Sequence, residues 1–235
     1  EQPVARLEDG VAIWENKPGD PGLGWQVTAS EKGFTWREDE LLSIEGRLLG
    51  SGFQWYLPGV DWGTFYVSQL YDVAGTCAGR AVKGIIALDQ VYMAEGGAIH
   101  HLKDLIVNNQ KHVIWWSFAN VYADGSYEVG SFQVGHDHLG YAILMDETGR
   151  IRTTTRVEGE VRHKDGSFFA EHARVVFNDD EVWEFIPDAR GEMIDFVNGF
   201  PITAQQEGRW SRVRPGERGA GREGTDAAGA WTEGS

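Results

Sequence analysis

Cysteine is nearly absent from the sequence, and its one copy, Cys77, cannot form an internal disulfide. The pattern of a small secreted domain held by disulfides is therefore missing. Long apolar runs are missing too, since no window approaches the roughly 18 uninterrupted apolar residues of a membrane-spanning helix. No charged-then-apolar leader opens the chain. These absences predict a cytoplasmic protein without a membrane span, and the start at Glu1-Gln2 indicates a processed product or a piece of a longer chain.

Basic residues are scarce relative to acidic ones. The chain has 21 Lys and Arg residues against 36 Asp and Glu residues, which gives a formal net charge of -15. A protein with a field of this sign repels phosphate backbones and anionic headgroups unless a local basic patch reverses it. We therefore expect no nucleic-acid partner.

Glycine and aromatic residues are plentiful, with 31 Gly and 10 Trp in 235 residues, which favours many turns and much aromatic packing. The hydrophobic periodicity indicates strands. Residues 64–73 place Phe65, Val67 and Tyr71 on one face, and residues 112–122 are apolar on both faces, as a fully covered strand is. Turn signals separate the later strands at 124–125, 146–149, 164–167 and 178–180.

A ladder of antiparallel hairpins closes most naturally into a barrel or a curled sandwich, because closure removes exposed strand edges. We therefore predict an all-β fold: an antiparallel lipocalin-like barrel or curled sandwich, with two β-barrel-like halves as an option. At most one short helix is expected, at 97–108. The predicted division is an N-terminal β half at 1–110, a C-terminal lipocalin-like β half packed against it at 111–202, and a final strand followed by a disordered tail at 203–235.

Two stretches carry a family resemblance: YVSQLYDVAG...GRAVKGIIALDQVYMAEGG at 66–97 and WWSFANVYADGSYEVGSF...LGYAILMDETGRI at 115–151. Over roughly 66–197 the chain resembles the lipocalin-like family of carotenoid 1,2-hydratase relatives. In that family a strand ends in an Asp-centred loop, followed by a Trp-rich strand, a DG turn and a Gly-hydrophobic hairpin. Asp89 stands where the family's loop has its acid, whereas the residues after it differ from the family's Arg-Ser-Trp-Gly.

The resemblance implies chemistry on a hydrophobic, isoprenoid-like unsaturated molecule, either water addition across an alkene or cyclisation. Hydration needs an acid to protonate carbon, a base for water and aromatic faces for the developing cation. Acids and donors concentrate in the connection around Asp89, Tyr92 and His101, where barrels place site residues. Two more histidines share a face if 136–138 is strand. The predicted catalytic residues are Asp89, Tyr92, His101, His136 and His138.

Aromatic residues supply the predicted wall of the binding site. Desolvation by these rings would raise the pKa of a carboxyl such as that of Asp89 and keep it protonated. Neighbours in a strand face opposite sides, so at least one residue of the Trp115-Trp116 pair belongs to the core. The predicted substrate-binding residues are Trp55, Trp62, Trp115, Trp116 and Tyr141.

Three functions stay open from the sequence. The first is a hydro-lyase or isomerase that binds an apolar substrate in a β-barrel cavity and uses no cofactor or metal. The second is a non-catalytic lipocalin-like binder of an apolar ligand. The third is a metal-dependent enzyme with His136 and His138 as ligands, although a cupin-type motif would need a Glu where Ala142 and Ile143 stand. A homodimer is also left open.

Overall fold

The computed structural model of the chain describes residues 4–17, 19, 21–22, 24–57, 63–97, 113–135, 140–167, 169–178, 180–192, 203–213 and 230–233. Within these ranges all regular structure is β-strand, without a helix. The predicted all-β fold, antiparallel and of the lipocalin-like barrel or curled-sandwich kind, is confirmed. The helix predicted at 97–108 lies, apart from Gly97, outside the described residues. None of the described segments is a helix long and apolar enough to cross a membrane.

Six short strands open the chain, two strands of 14 residues follow, and further strands complete it. In chain order the strands are β1 Val4–Glu8, β2 Val11–Glu15, β3 Trp25–Ala29, β4 Phe34–Glu38, β5 Leu42–Leu48, β6 Phe53–Leu57, β7 Thr64–Cys77, β8 Arg80–Met93, β9 Val113–Val121, β10 Tyr127–Gly135, β11 Gly140–Asp146, β12 Ile151–Thr154, β13 Val157–His163, β14 Ala170–Phe177, β15 Glu181–Glu192, β16 Thr203–Val213 and β17 Ala230–Glu233.

The strands form three sheets. The first has the order β1-β2-β3-β4-β5-β7-β6, and β8 also pairs with β7. The second sheet has the order β12-β11-β10-β9, and the third has the order β13-β14-β15-β16-β17. Most neighbours in these sheets are also consecutive in the chain, and they pair antiparallel. The sequence therefore builds these sheets mainly from hairpins.

The predicted turn positions are confirmed. Gly125 ends the β9–β10 turn with φ 85°, and Gly149 ends the β11–β12 turn with φ 79°. Glycine adopts this left-handed backbone conformation without the steric cost of a Cβ atom. The β13–β14 turn contains Gly166 at φ 68°, and the β14–β15 turn contains Asn178 at φ 51°, where a short polar side chain is tolerated. Local turn chemistry thus sets where these strands end.

The residues form two compact units, each discontinuous in sequence. The first unit comprises Glu1–Gly52 and Gln69–Leu88, and the second comprises Phe53–Ser68 and Asp89–Ser235. Strands β7 and β8 contribute residues to both units. Nothing in this division tests the predicted boundaries at 110/111 and 202/203, which stay predictions.

The first unit is organised around a small apolar core. The rings of Phe34 and Tyr71 lie 5.0 Å apart between centroids. Strands β5 and β7 approach closely at Gly46, where an added Cβ would lie 2.2 Å from the backbone oxygen of Asp72. A side chain at Gly46 would therefore push the two strands apart. The buried residues of this core are Ala29, Phe34, Ile44, Tyr71 and Val73.

The second unit has a larger core, in which side chains of the second and third sheets meet. The ring of Phe132 lies 4.6 Å from that of Phe177 and 4.8 Å from that of Phe118, measured between centroids. Gly130 makes room for this packing, because an added Cβ would lie 2.2 Å from the Phe118 ring. The aromatic core, as it is called below, consists of Trp116, Phe118, Phe132, Ala142, Leu144, Ala170, Ala173, Val175, Phe177, Trp183, Phe185 and Trp210.

Candidate functional site

Strands β9, β10 and β11 have two different buried faces. One face belongs to the aromatic core and contains Trp116, Phe118 and Phe132, each with no exposed surface. The alternate residues of the same strands point to the other side of the sheet. Five of the side chains there carry hydrogen-bonding groups, and we call this set the polar face. It consists of Trp115, Ser117, Ser131, Gln133 and Tyr141.

The polar face is buried despite its chemistry, since Ser117, Ser131 and Gln133 are 2%, 0% and 3% exposed. The indole N–H of Trp115 donates a hydrogen bond to Ser131 Oγ at 2.9 Å, and Ser131 Oγ lies 3.3 Å from the Tyr141 hydroxyl. Ser117 lies directly opposite Ser131, and Gln133 lies opposite Trp115. Within the described chain, Ser117 Oγ and Gln133 Nε2 have no hydrogen-bond partner.

Two aromatic side chains from β6 and β7 lie against this face. Trp55 and Tyr66 are cross-strand partners, and their rings stack with centroids 5.0 Å apart and 22° between planes. The Tyr66 ring meets Trp115 edge-on at 4.7 Å, and the Trp55 ring lies 6.1 Å from Tyr141. Tyr66 is fully buried, whereas Trp55 and Trp115 keep part of their surface accessible. The two tryptophans can therefore offer ring surface to a ligand.

Asp89, on β8, is the acid of this site. Burial by the surrounding protein raises the pKa of its carboxyl, and the nearby hydroxyls of Ser68 and Tyr66 lower it only in part. Among the residues that the structure describes, neither hydroxyl has a hydrogen-bond partner of ordinary geometry, Asp89 included. Asp89 nevertheless keeps an exposed surface. A carboxyl that solvent can reach, yet that protein largely surrounds, keeps its neutral form to a higher pH than usual.

The phenols of Tyr66 and Tyr141 stay protonated well above neutral pH. Burial is the main cause of the raised pKa of each phenol, and the negative charge of Asp89 adds to it. Both groups can therefore donate a hydrogen bond at every physiological pH. The site thus combines one acid of raised pKa with two permanent phenol donors and two partly accessible indole rings.

Buried polar atoms without a partner concentrate in this site. Of the eight such side-chain atoms in the described chain, five belong here. An unsatisfied buried group costs roughly 1–3 kcal/mol of stability, and folded proteins usually satisfy it with ordered water or a bound molecule. This concentration makes the site a place where ordered water or a bound molecule would find hydrogen-bond partners. The five atoms are Trp55 Nε1, Tyr66 OH, Ser68 Oγ, Ser117 Oγ and Gln133 Nε2.

The structure brings some of the predicted site residues together and separates others. Trp116 lies in the aromatic core, where its ring meets Trp210 edge-on at 5.0 Å. Tyr92 lies at the surface, is 55% exposed, and donates its hydroxyl proton to Gln90 Oε1 at 2.9 Å. The predicted residues that meet in the candidate site are Trp55, Asp89, Trp115 and Tyr141.

Four further predicted residues, Trp62, His101, His136 and His138, lie outside the described residues. Their predicted roles as substrate-binding or catalytic residues, and the metal site through the last two, stay predictions. In the part of the chain that is described, no three His, Cys, Asp or Glu side chains group in a way that could hold a metal ion.

The candidate site and the aromatic core lie on opposite sides of the second sheet. Between the second and third sheets, the aromatic core fills the space with side chains. The polar face lies on the other side of the second sheet, together with Trp55, Tyr66, Ser68 and Asp89. The predicted binding of a ligand in a β-barrel cavity stays a prediction.

Sequence reasoning missed the small polar members of this site. Three of them, Ser117, Ser131 and Gln133, sit inside strand segments that otherwise look like core, WWSFAN at 115–120 and GSFQVG at 130–135. A polar residue within a strand that is apolar on both faces has to be buried, and a buried polar residue calls for an explanation. That signal was present in the sequence. The missed residues are Tyr66, Ser68, Ser117, Ser131 and Gln133.

No protein-family model matches this chain, and no significant match is found among curated proteins or solved structures. These comparisons leave the family of the chain open. The function must therefore be argued from the chemistry of the site itself.

Proposed function

We propose that the chain is an acid–base enzyme, a hydratase–dehydratase or isomerase, that acts on an apolar unsaturated small molecule. The observation that carries this proposal is the Asp89 carboxyl. Its pKa is raised by burial, it keeps an open surface, and it lies near the hydroxyls of Tyr66 and Ser68. The Tyr66 ring in turn contacts the rings of Trp55 and Trp115. A carboxylic acid whose neutral form persists to a higher pH than usual is suited to general acid catalysis.

The proposed reaction begins with protonation of an alkene carbon. Asp89 gives its carboxyl proton to one carbon of the double bond, and the other carbon becomes a carbocation. Water then adds to the cation, and the proton that this water loses returns to the Asp89 carboxylate. The net change is alkene plus water to alcohol. If a proton leaves a neighbouring carbon instead, the double bond has moved and the reaction is an isomerisation.

The indole rings of Trp55 and Trp115 would shelter the cation. A cation over an aromatic face gains roughly 0.5–2 kcal/mol, most when the site is desolvated. That gain lowers the barrier by a modest part of what catalysis needs, since each tenfold in rate corresponds to about 1.4 kcal/mol. The position and protonation state of Asp89 therefore have to contribute most of the remaining acceleration.

The sequence resemblance supports the same class of chemistry. The segments 66–97 and 115–151, which resemble the carotenoid 1,2-hydratase relatives, supply Tyr66, Ser68, Asp89 and the whole polar face. The residues that meet in the structure are thus largely the ones that carry the resemblance. An isoprenoid-like molecule is accordingly the substrate class to test first.

A non-catalytic binder of the same kind of molecule is the second candidate. It is favoured by the unpartnered donors of the site, because these would serve binding equally well. The two candidates differ in one respect, since only the enzyme transfers a proton from Asp89 to carbon. A test of the proposed function must therefore follow that proton.

The test uses deuterium as the label. The full chain is incubated in D2O with geraniol, linalool and myrcene in separate reactions, and the products are analysed by gas chromatography and mass spectrometry. We expect deuterium at carbon in at least one probe. Asp89→Asn should reduce this incorporation by about 10²–10⁴-fold, which is the usual contribution of a general acid.

The matched control is Asp165→Asn, which makes the same chemical change at an exposed turn residue outside the site. It should incorporate deuterium at the parent rate. Equal rates for Asp89→Asn and the parent would remove Asp89 as the acid. Binding of a probe with no deuterium at carbon in any reaction would favour the non-catalytic binder.

A further inference from the structure

The polar face contains two kinds of buried polar residue, those with a hydrogen-bond partner and those without one. Ser131 already has its neighbours, since it accepts from Trp115 and lies against the Tyr141 hydroxyl. Ser117 and Gln133 differ, because Ser117 Oγ and Gln133 Nε2 have no hydrogen-bond partner in the described chain. Both residues are more than nine-tenths buried. Bulk water is therefore a poor explanation of how these two groups are satisfied.

The two groups converge on one side of the sheet. Ser117 lies opposite Ser131, and Gln133 is two residues along β10 from Ser131 on the same face. This diagonal arrangement across an antiparallel pair brings side chains within reach of one small group. A serine hydroxyl and a glutamine amide N–H can both donate to a single oxygen atom.

We infer that Ser117 and Gln133 form a subsite for an oxygen atom of the ligand. The inference rests on the proposed function and refines its substrate class: an apolar unsaturated molecule that bears a hydroxyl or carbonyl oxygen. A pure hydrocarbon would leave both donors buried without a partner. A molecule with one oxygen would satisfy both, while its carbon skeleton lies against Trp55 and Trp115.

The test compares two probes with the same carbon skeleton. Geraniol carries a hydroxyl, and myrcene carries no oxygen. Affinities of the full chain for each probe are measured by titration calorimetry, with quenching of tryptophan fluorescence as a second readout. We expect the parent to bind geraniol about tenfold or more tightly than myrcene, which is the effect of one good hydrogen bond.

Two variants then address the subsite directly. Gln133→Met keeps the length of the side chain and removes the amide, and Ser117→Ala removes only the hydroxyl. Each should weaken geraniol binding by about fivefold or more and change myrcene binding by less than twofold. Gln54→Met is the matched control, because Gln54 is an exposed residue of β6; this variant should bind both probes as the parent does.

Thermal unfolding separates this role from a structural one. Removing a buried group that has no partner should leave the melting temperature unchanged or raise it, so Ser117→Ala should fold at least as well as the parent. The subsite would be overturned if the variants lost equal affinity for both probes, or if the parent did not prefer geraniol. The proposed function would still be supported in that case if deuterium were transferred to carbon. A parent that bound neither probe would overturn the subsite and the substrate class together. If the parent preferred geraniol over myrcene but incorporated no deuterium at carbon, the subsite would be supported and the enzymatic function would be contradicted.

Discussion

Both faces of the second sheet contain fully buried side chains, but the two sets differ in their hydrogen-bonding chemistry. On one side Trp116, Phe118 and Phe132 belong to the aromatic core, in which the indole nitrogens of Trp116 and Trp210 are the only buried side-chain polar atoms of the described residues without a hydrogen-bond partner. On the other side Ser117 and Gln133 are buried with donors that have no partner. Burial alone therefore does not distinguish structural residues from candidate functional ones. The unpartnered polar atoms differ in their distribution, since five of the eight in the described chain lie in the candidate site.

The largest expected effect comes from breaking the apolar face. Phe132→Ala removes a ring that lies 5.7 Å or less from the rings of four other aromatic residues. Truncation of a buried phenylalanine leaves a cavity and costs about 3–5 kcal/mol of unfolding free energy. Urea denaturation followed by tryptophan fluorescence measures the loss. A loss below about 1 kcal/mol would mean that the core repacks around the gap. The apolar face would then not be the main source of stability in this comparison.

A matched pair of serines sharpens the comparison within the polar face. Ser131 and Ser117 lie opposite each other, but only Ser131 has partners. Ser131→Ala would leave the indole N–H of Trp115 without its acceptor and cost about 1–3 kcal/mol. Ser117→Ala should cost nothing or stabilise slightly. Denaturation of the two variants side by side measures both values, and equal losses would contradict the distinction.

Charged residues at the rim of the core make a smaller contribution. Arg152 of β12 pairs with Glu181 of β15 at 2.5 Å, and Arg212 of β16 lies 3.2 Å from the same carboxylate. Burial opposes the ionisation of Glu181, but the hydrogen bonds from Arg152 and Trp183 and the charge of Arg212 outweigh it, so its pKa is lowered. The ion pairs therefore tie the second sheet to the third.

Glu181→Gln should cost about 1 kcal/mol at neutral pH, since the arginines of these pairs partly reach solvent. Because the folded-state pKa lies below the unfolded value of 4.5, the unfolded chain binds more protons in the window between them. The stabilisation is therefore present above pH 4.5 and is lost as pH falls through the lowered pKa. Denaturation midpoints of parent and variant across pH 2.5–7 should converge at the acidic end. A difference that stayed constant with pH would show that the variant acts through packing instead.

The sequence predicted the strands and turns of this fold because their determinants are local. A glycine or asparagine at a turn fixes a left-handed backbone wherever the rest of the chain lies. The sequence did not predict which face of β7 is buried. The alternation groups Phe65 with Val67, but the structure buries Tyr66 and Ser68 and leaves Phe65 37% exposed. Which face is covered depends on packing between distant segments, and alternation within one strand does not contain that information.

The candidate site was predicted only in part, because it too depends on packing between distant segments. Residue type and resemblance identified Asp89, and aromatic character identified Trp55, Trp115 and Tyr141. Ser117 and Gln133 have no distinctive chemistry of their own. Their role depends on the register of β9 against β10, which the sequence does not give.

Asp89 of the candidate site should affect stability in the opposite direction to the residues of the aromatic core. The raised pKa of Asp89 means that the folded protein binds more protons than the unfolded chain between the unfolded value of 3.8 and the raised value. Stability must therefore fall as pH rises through this window, and the loss persists above it. Asp89→Asn cannot ionise, so it should match the parent near pH 3 and become the more stable protein at neutral pH. Denaturation midpoints from pH 3 to 8 measure this small difference. A variant less stable than the parent at pH 7 would show that the ionised carboxylate is held by favourable contacts, and then Asp89 could not be the proton donor. Asp89→Asn should thus lose deuterium transfer and gain stability. Phe132→Ala should instead lower both deuterium transfer and stability.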